Sequence, residues 1–191
     1  MLDTINYKIF LGSKSPRRQE LLKALGIDFE IFTIETEEIF PSDLKKEEVT
    51  NHLAKLKAKA YEGQLAENEL VITADTIVWH NDTVLGKPKN EKEAFEILKS
   101  LSGDSHRVYT SVCIKSKVKE VVFSDCTTVF FSALSDEEIN YYITNYKPFD
   151  KAGAYGIQDW IGLRAIRKIE GSYYNVMGLP TEKLYEALLQ F

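Results

Sequence analysis

The chain has 191 residues and a formal net charge of −5, a size that buries roughly 70% of its unfolded surface and needs neither disulfide nor metal to fold. Composition is 44% hydrophobic, 28% charged and 12% aromatic. That is the profile of a globular chain, and its acidic balance argues against a general nucleic-acid binder, whose affinity comes from clustered Lys and Arg.

No apolar run approaches the length of a membrane span, and residues 1–6 lack the basic and apolar segments of a signal peptide. No membrane association is therefore expected. Cys113 and Cys126 both fall in β-like stretches, where thiols are commonly buried, and low cysteine use fits a reducing cytosol.

In chain order, residues 7–11 read as a short apolar strand, followed by the polar turn Gly12-Ser13-Lys14-Ser15-Pro16-Arg17-Arg18. Leu21, Leu22 and Leu25 then recur at helical spacing until Gly26. Ser15 suits the N-cap and Pro16 the first helical position. Strand, turn, helix N-terminus and paired arginines describe an anion site, because the free N–H groups, the helix dipole and guanidinium forks all attract phosphate oxygens. The plain alternative is a capped helix with solvated arginines.

Residues 29–33 form a strand candidate, and residues 43–64 a helix with Val49, Leu53, Leu56 and Ala60 on one stripe. Lys57 lies about 70° from the middle of that stripe at 100° per residue, so it is predicted to border the core and project over its edge. Residues 70–79 read as a strand in which Asp75 follows an apolar run. The stretch His80-Asn81-Asp82-Thr83 turns the chain into Val84-Leu85, and Gly86-Lys87-Pro88 is a loop. Asn90 with Glu93 caps a helix carrying Ala94, Phe95, Leu98 and Leu101. Two longer strands, residues 106–115 and 121–131, pair through Ser116-Lys117, and Ser135 with Glu138 is a capping box for a helix to residue 145. Residues 148–158, rich in Gly and Ala, read as a loop whose backbone passes close to something. A strand over 162–169 and a helix over 180–189 close the chain. The pattern predicts α/β architecture, a mixed central sheet flanked by helices, without an internal boundary sharp enough to divide residues 1–191.

Asp75 is the leading catalytic candidate. A carboxylate after an apolar strand is costly to bury unless it is paired, holds a metal or faces a cleft, and ligands of open α/β sheets gather at strand ends. If Asp75 and Thr76 both lay in regular strand they would point to opposite faces, so a site using both needs a bend there. Glu37 and Glu38 offer hard oxygens that could join Asp75 around Mg²⁺, although such a pair is also an ordinary solvated cluster. Lys57 and Lys87 could complement phosphates. The scattered His52, His80 and His106 make no metal motif, no Ser lies in a nucleophile elbow, and no G-x-x-x-x-G-K-[ST] loop occurs.

Taken together and in this order, Ser13-Lys14-Ser15-Pro16-Arg17-Arg18, Ala74-Asp75-Thr76-Ile77-Val78, Gly86-Lys87-Pro88, the stretch from Asp150 through Lys151-Ala152-Gly153-Ala154-Tyr155-Gly156-Ile157 to Gln158, and Gly171-Ser172-Tyr173-Tyr174-Asn175-Val176-Met177-Gly178-Leu179-Pro180 resemble the Maf family of nucleoside triphosphate pyrophosphatases. The resemblance implies hydrolysis of a triphosphate to monophosphate and pyrophosphate with a divalent cation, Mg²⁺ or Mn²⁺. It also implies two lobes around a nucleotide-binding cleft, as in the inosine-triphosphatase-like folds, a cytoplasmic location, and frequent homodimers. By position, Asp75 matches the family's general base. Ser13, Arg18, Glu38, Lys57 and Lys87 match residues lining the triphosphate and metal site, with Asp75 and Glu38 as metal ligands. Arg17, Thr76 and Gln158 match positions typical of the branch acting on dTTP and UTP. Gly12 stands where Ala is usual, and Asp159-Trp160 follows Gln158 where smaller residues are common. Whether Asp75 is the base or chiefly a metal holder stays open at this point. A different reading of the same phosphate site is a nucleotide-binding regulator of septum formation with little catalysis.

Overall fold

In the computed structural model residues 7–191 are described; the reading of residues 1–6 lies outside them. Contacts divide the chain into two compact units. Unit 1 comprises the described residues up to Asp75, with Thr110–Asp125 and Gly178–Phe191, and unit 2 comprises Thr76–Tyr109 and Cys126–Met177.

In unit 1, β1 (Lys8–Leu11) leads through the polar turn into α1 (Pro16–Ala24), β2 (Glu30–Ile31) and α2 (Glu47–Lys59), and α7 (Thr181–Leu189) closes the chain. The first part of β3 (Glu69–His80), the end of β5 (Ser105–Ser116) and the start of β6 (Glu120–Phe131) also belong here. Strand β1 runs parallel to β2 and to β3, with Leu11 opposite Ile72. Leu11, Leu22, Leu53, Leu70 and Ile72 form its buried centre. Just past β1 the backbone passes so close to Thr73 and Tyr61 that a Cβ on Gly12 would sit 2.8 Å from Thr73 Cγ2 and 2.9 Å from Tyr61 Oη. Tyr61 is itself pinned, donating to the Phe32 carbonyl and accepting from Ile34 N–H. Glycine at position 12 follows from that crowding.

In unit 2, the rest of β3 turns through Asn81 and Asp82, both left-handed, into antiparallel β4 (Thr83–Leu85), the backbone a type I′ hairpin requires. Helix α3 (Glu91–Leu101) is capped by Asn90, and α4 (Asp136–Tyr146) has the full Ser135/Glu138 capping box. Two 3-10 turns (Pro148–Asp150 and Ala152–Ala154), α5 (Trp160–Ala165), β7 (Ile166–Glu170) and α6 (Tyr173–Met177) follow. The close backbone passage expected over residues 148–158 is present: Gly153, at φ 69°, leaves no room for a Cβ beside Val78 Cγ2, 2.6 Å away. The strand order is β2-β1-β3-β5-β6-β7, with β4 on β3, and β6 and β7 are antiparallel. The sheet is mixed and the class α/β, as expected. Among the described residues no helix is long and apolar enough to cross a membrane.

Several elements differ from the sequence reading. The strand over 29–33 shrinks to two exposed residues. The helix over 43–64 spans only Glu47–Lys59, because Lys46 at φ 53°, ψ −126° cannot join it. Residues 162–169 split into α5 and β7, since Gly162 N–H bonds the Asp159 carbonyl and begins a helical turn. Ser15 takes the N-cap backbone position, but its side chain makes no cap bond. Cys113 is buried whereas Cys126 is exposed, and both are free thiols. The strand over residues 70–79 is present as β3, with Asp75 inside it.

Candidate active site

Asp75 sits in β3 with its side chain 10% exposed, and Lys57 Nζ lies 2.6 Å from its Oδ1. The same ammonium is 2.8 Å from Glu38 Oε1. Lys57 reaches both because it borders the buried face of α2, where Val49, Leu53, Ala54 and Ala58 pack. A long lysine stem at such a border can lie against the core while its ammonium reaches polar groups at the edge. Glu38 comes from the loop after β2 and is exposed.

Arg18, in the first turn of α1, completes this cluster. Its Nε donates to the Gly178 carbonyl at 2.8 Å and its Nη1 to the Ala74 carbonyl at 3.0 Å and to Ser13 Oγ at 3.3 Å. Ser13 Oγ also accepts from Ser15 N–H. The guanidinium therefore ties the turn, the residue before Asp75 and the C-terminal Gly178 together. Arg17 lies beside it, and the first turn of α1 carries no acidic residue. A helix N-terminus whose first turn carries two arginines and no carboxylate is suited to anions.

Burial pushes the Asp75 carboxyl above the usual carboxylate range; Lys57 and Arg18 pull it back, and Glu38 adds to the rise. Burial lowers the Arg18 pKa, opposed by Asp75 and reinforced by Arg17. Unit 1 thus brings together two bonded groups, Arg18 with Ser13 and Lys57 with Asp75 and Glu38, joined where Arg18 holds the carbonyl of Ala74 next to Asp75, with Arg17 on the adjoining helix turn. Chemically, it offers a carboxylate with raised proton affinity, cationic groups beside it, and two hard oxygen donors gathered on one cation. Among the described residues no set of three or more His, Cys, Asp or Glu converges as a metal site. Asp75 and Glu38 are the pair that could hold a cation.

Thr76, Lys87 and Gln158 belong to unit 2. Thr76, the residue after Asp75 in β3, is half-buried. Lys87 is exposed in the loop after β4, next to Gly86, whose carbonyl accepts from Gly153 N–H. Gln158 is exposed and lines a pocket of about 310 Å³ together with Ile157, Leu163, Ile166, Arg167 and Tyr173. Sequence reasoning missed Arg167 and Tyr173 in this lining. It also missed the backbone acceptors of Arg18, since a carbonyl leaves no signature in residue type.

The family model described as Maf-like protein matches residues 8–191. The dTTP/UTP pyrophosphatase of Flavobacterium johnsoniae is 58% identical over 182 residues, covering 95% of this chain and 94% of that one. The dTTP/UTP pyrophosphatase of Parabacteroides distasonis is 51% identical over 193 residues, covering all of both. Among solved structures, the Staphylococcus aureus Ham1 protein overlaps 65% of this chain and 71% of that one, with a TM-score of 0.47 at 15% identity, a likeness too loose to bear on activity.

Proposed function

We propose, since the chain belongs to the Maf-like protein family, that it is a nucleoside triphosphate pyrophosphatase acting on dTTP and UTP in the cytoplasm. The observation that carries this reading is the buried Asp75, held 2.6 Å from Lys57 and raised in pKa by its surroundings. Relatives of matching length bear the name dTTP/UTP pyrophosphatase, which supports the choice of substrate.

Cleavage between the α- and β-phosphates chiefly requires charge neutralisation and an in-line water. Arg18, Lys57, Lys87, the Ser13 turn and the N-terminus of α1 supply positive or hydrogen-bonding character to the phosphates. Asp75 accepts the proton of the attacking water, a task favoured by a carboxyl raised toward the working pH. Arg17, Thr76 and Gln158 select the base; the carboxamide of Gln158 offers a donor and an acceptor, matching the imide edge of uracil or thymine.

A divalent cation, Mg²⁺ or Mn²⁺, suits this donor set. Glu38 and Asp75 are hard oxygens already converged on the Lys57 ammonium, and Mg²⁺ sites commonly use one or two carboxylates with phosphate oxygens completing the shell. Such a cation would polarise a phosphate and lower the pKa of a bound water.

A nucleotide-binding regulator of septum formation without turnover is less favoured, because a pure binder gains nothing from a buried carboxylate of raised pKa. Pyrophosphate release measured across dTTP, UTP, CTP and purine triphosphates, with Mg²⁺ or Mn²⁺, tests the proposal. Release from dTTP and UTP above the rest supports it; none from either rejects it.

A further inference from the structure

Gln158 lies in a four-residue turn, Gly156 to Asp159, closed by Asp159 N–H bonding the Gly156 carbonyl at 3.0 Å. Gly156 and Ile157 are buried, Asp159 is half-buried, and Gln158 alone is exposed. Both ends of this turn meet one atom. The hydroxyl of Tyr142, from α4, donates to Asp159 Oδ2 at 2.7 Å and accepts from Gly156 N–H at 3.0 Å. Tyr142 is fully buried, stacks on Tyr146 at 5.1 Å, and burial pushes its phenol pKa up, keeping the proton it donates.

The turn is otherwise built for close approach. A Cβ on Gly156 would fall 2.6 Å from Asp159 Oδ2, and one on Gly162 would fall 1.8 Å from the Ile157 carbonyl oxygen. The two glycines let the Asp159 carboxylate fold back over the turn and let the next helix start beneath it. Lys151 Nζ, 3.9 Å from Asp159 Oδ2 and 2.8 Å from Asp150 Oδ1, sets a cation beside this half-buried carboxylate. The side chain of Asp159, at a helix N-cap position, makes no cap bond to α5. It is committed to Tyr142 instead.

We propose that Tyr142 and Asp159 are positioning residues that set Gln158 at its pocket, and so determine preference among bases. The proposal rests on the assignment of Gln158 to base selection. A carboxamide reads a base edge only if its donor and acceptor are held in register, because misaligned hydrogen bonds weaken steeply. Anchoring both ends of the turn on one buried hydroxyl fixes the backbone carrying Gln158 and leaves only its side-chain torsions to order on binding.

The test compares Tyr142→Phe and Asp159→Ala with Asp159→Asn, which keeps an acceptor for the Tyr142 hydroxyl, using Gln158→Ala as the reference. Amide hydrogen exchange, which needs no substrate, should accelerate at Gly156 and Asp159 in Tyr142→Phe and Asp159→Ala. In the same variants KM for dTTP and UTP should rise roughly five- to tenfold, the worth of about one hydrogen bond, and the preference over CTP should narrow, while kcat changes less than about twofold. Asp159→Asn should restore most of both. Unchanged exchange at these amides, or faster exchange with base preference intact while Gln158→Ala alters it, overturns the clamp. If Gln158→Ala itself leaves preference unchanged, the assignment of Gln158 fails instead, and the exchange result still decides whether the turn is clamped.

Discussion

The ammonium of Lys57 and the Oδ1 of Asp75 are 2.6 Å apart, with side chains 15% and 10% exposed. An ion pair that dry responds asymmetrically to mutation, since deleting one partner strands the other charge. Lys57→Met removes the main compensating charge from Asp75 and leaves it beside Glu38. We expect a stability loss of about 2–4 kcal/mol and a fall in turnover of at least about a hundredfold. Asp75→Asn keeps a neutral acceptor for Lys57 and should stay folded within about 1–2 kcal/mol, with turnover abolished. Urea denaturation and pyrophosphate release, read on both variants, check the contrast.

Activity should fall on the acid side of neutrality. Asp75 must be ionised to accept a proton, and burial, the largest influence, raises its pKa against Lys57 and Arg18. The ionised form is therefore lost as pH falls through a value above the usual carboxylate range of about 4. A profile of kcat/KM against pH should show this acid limb, and an acid limb at or below that usual value would contradict the burial argument.

The adjacent arginines should fail differently. Arg18 holds the Ser13 hydroxyl and the Ala74 and Gly178 carbonyls, so Arg18→Ala should lower turnover of every triphosphate and cost about 1–3 kcal/mol of stability. Arg17→Ala should instead shift the ranking of dTTP, UTP, CTP and ATP. Kinetics on the four substrates separate them, and identical profiles would undo the division of labour.

Stability should also depend on His106. It is buried, its Nε2 lies 2.7 Å from the Tyr155 hydroxyl, and its ring packs edge-on against Phe131 and Tyr155. Burial, assisted by His80 and opposed by Asp104, lowers its pKa to about 3. Between the unfolded value near 6.5 and about 3, the unfolded chain binds a proton that the folded chain refuses. Stability therefore falls as pH falls through that window, by up to about 1.4 kcal/mol per pH unit from this residue. Denaturation of His106→Gln across pH 4–7 should give a shallower slope than the natural chain.

What the residues announced, and what they concealed, follows a physical divide. Local chemistry was legible: Asn90 and Ser135 cap as expected, Asn81 and Asp82 form the hairpin turn, and the helical position of Lys57 places it at the core's edge. Interactions between distant segments were not. Arg18 reaches carbonyls 56 and 160 residues away, and no residue type encodes a carbonyl. Short apolar runs misled where tertiary bonds decide, as at Gly162, whose N–H bond to the Asp159 carbonyl opens a helix in place of the expected strand. The use of Asp159 was concealed in the same way, since its carboxylate is engaged by the Tyr142 hydroxyl of a separate helix.

The proposed cleavage falls between the α- and β-phosphates of a pyrimidine triphosphate, at the Asp75 cluster. Phosphorus NMR of UTP incubated with the natural chain and with Asp75→Asn tests it most directly. UMP and pyrophosphate are expected from the natural chain and intact UTP from the variant. UDP with orthophosphate, or equal turnover by the variant, would contradict it.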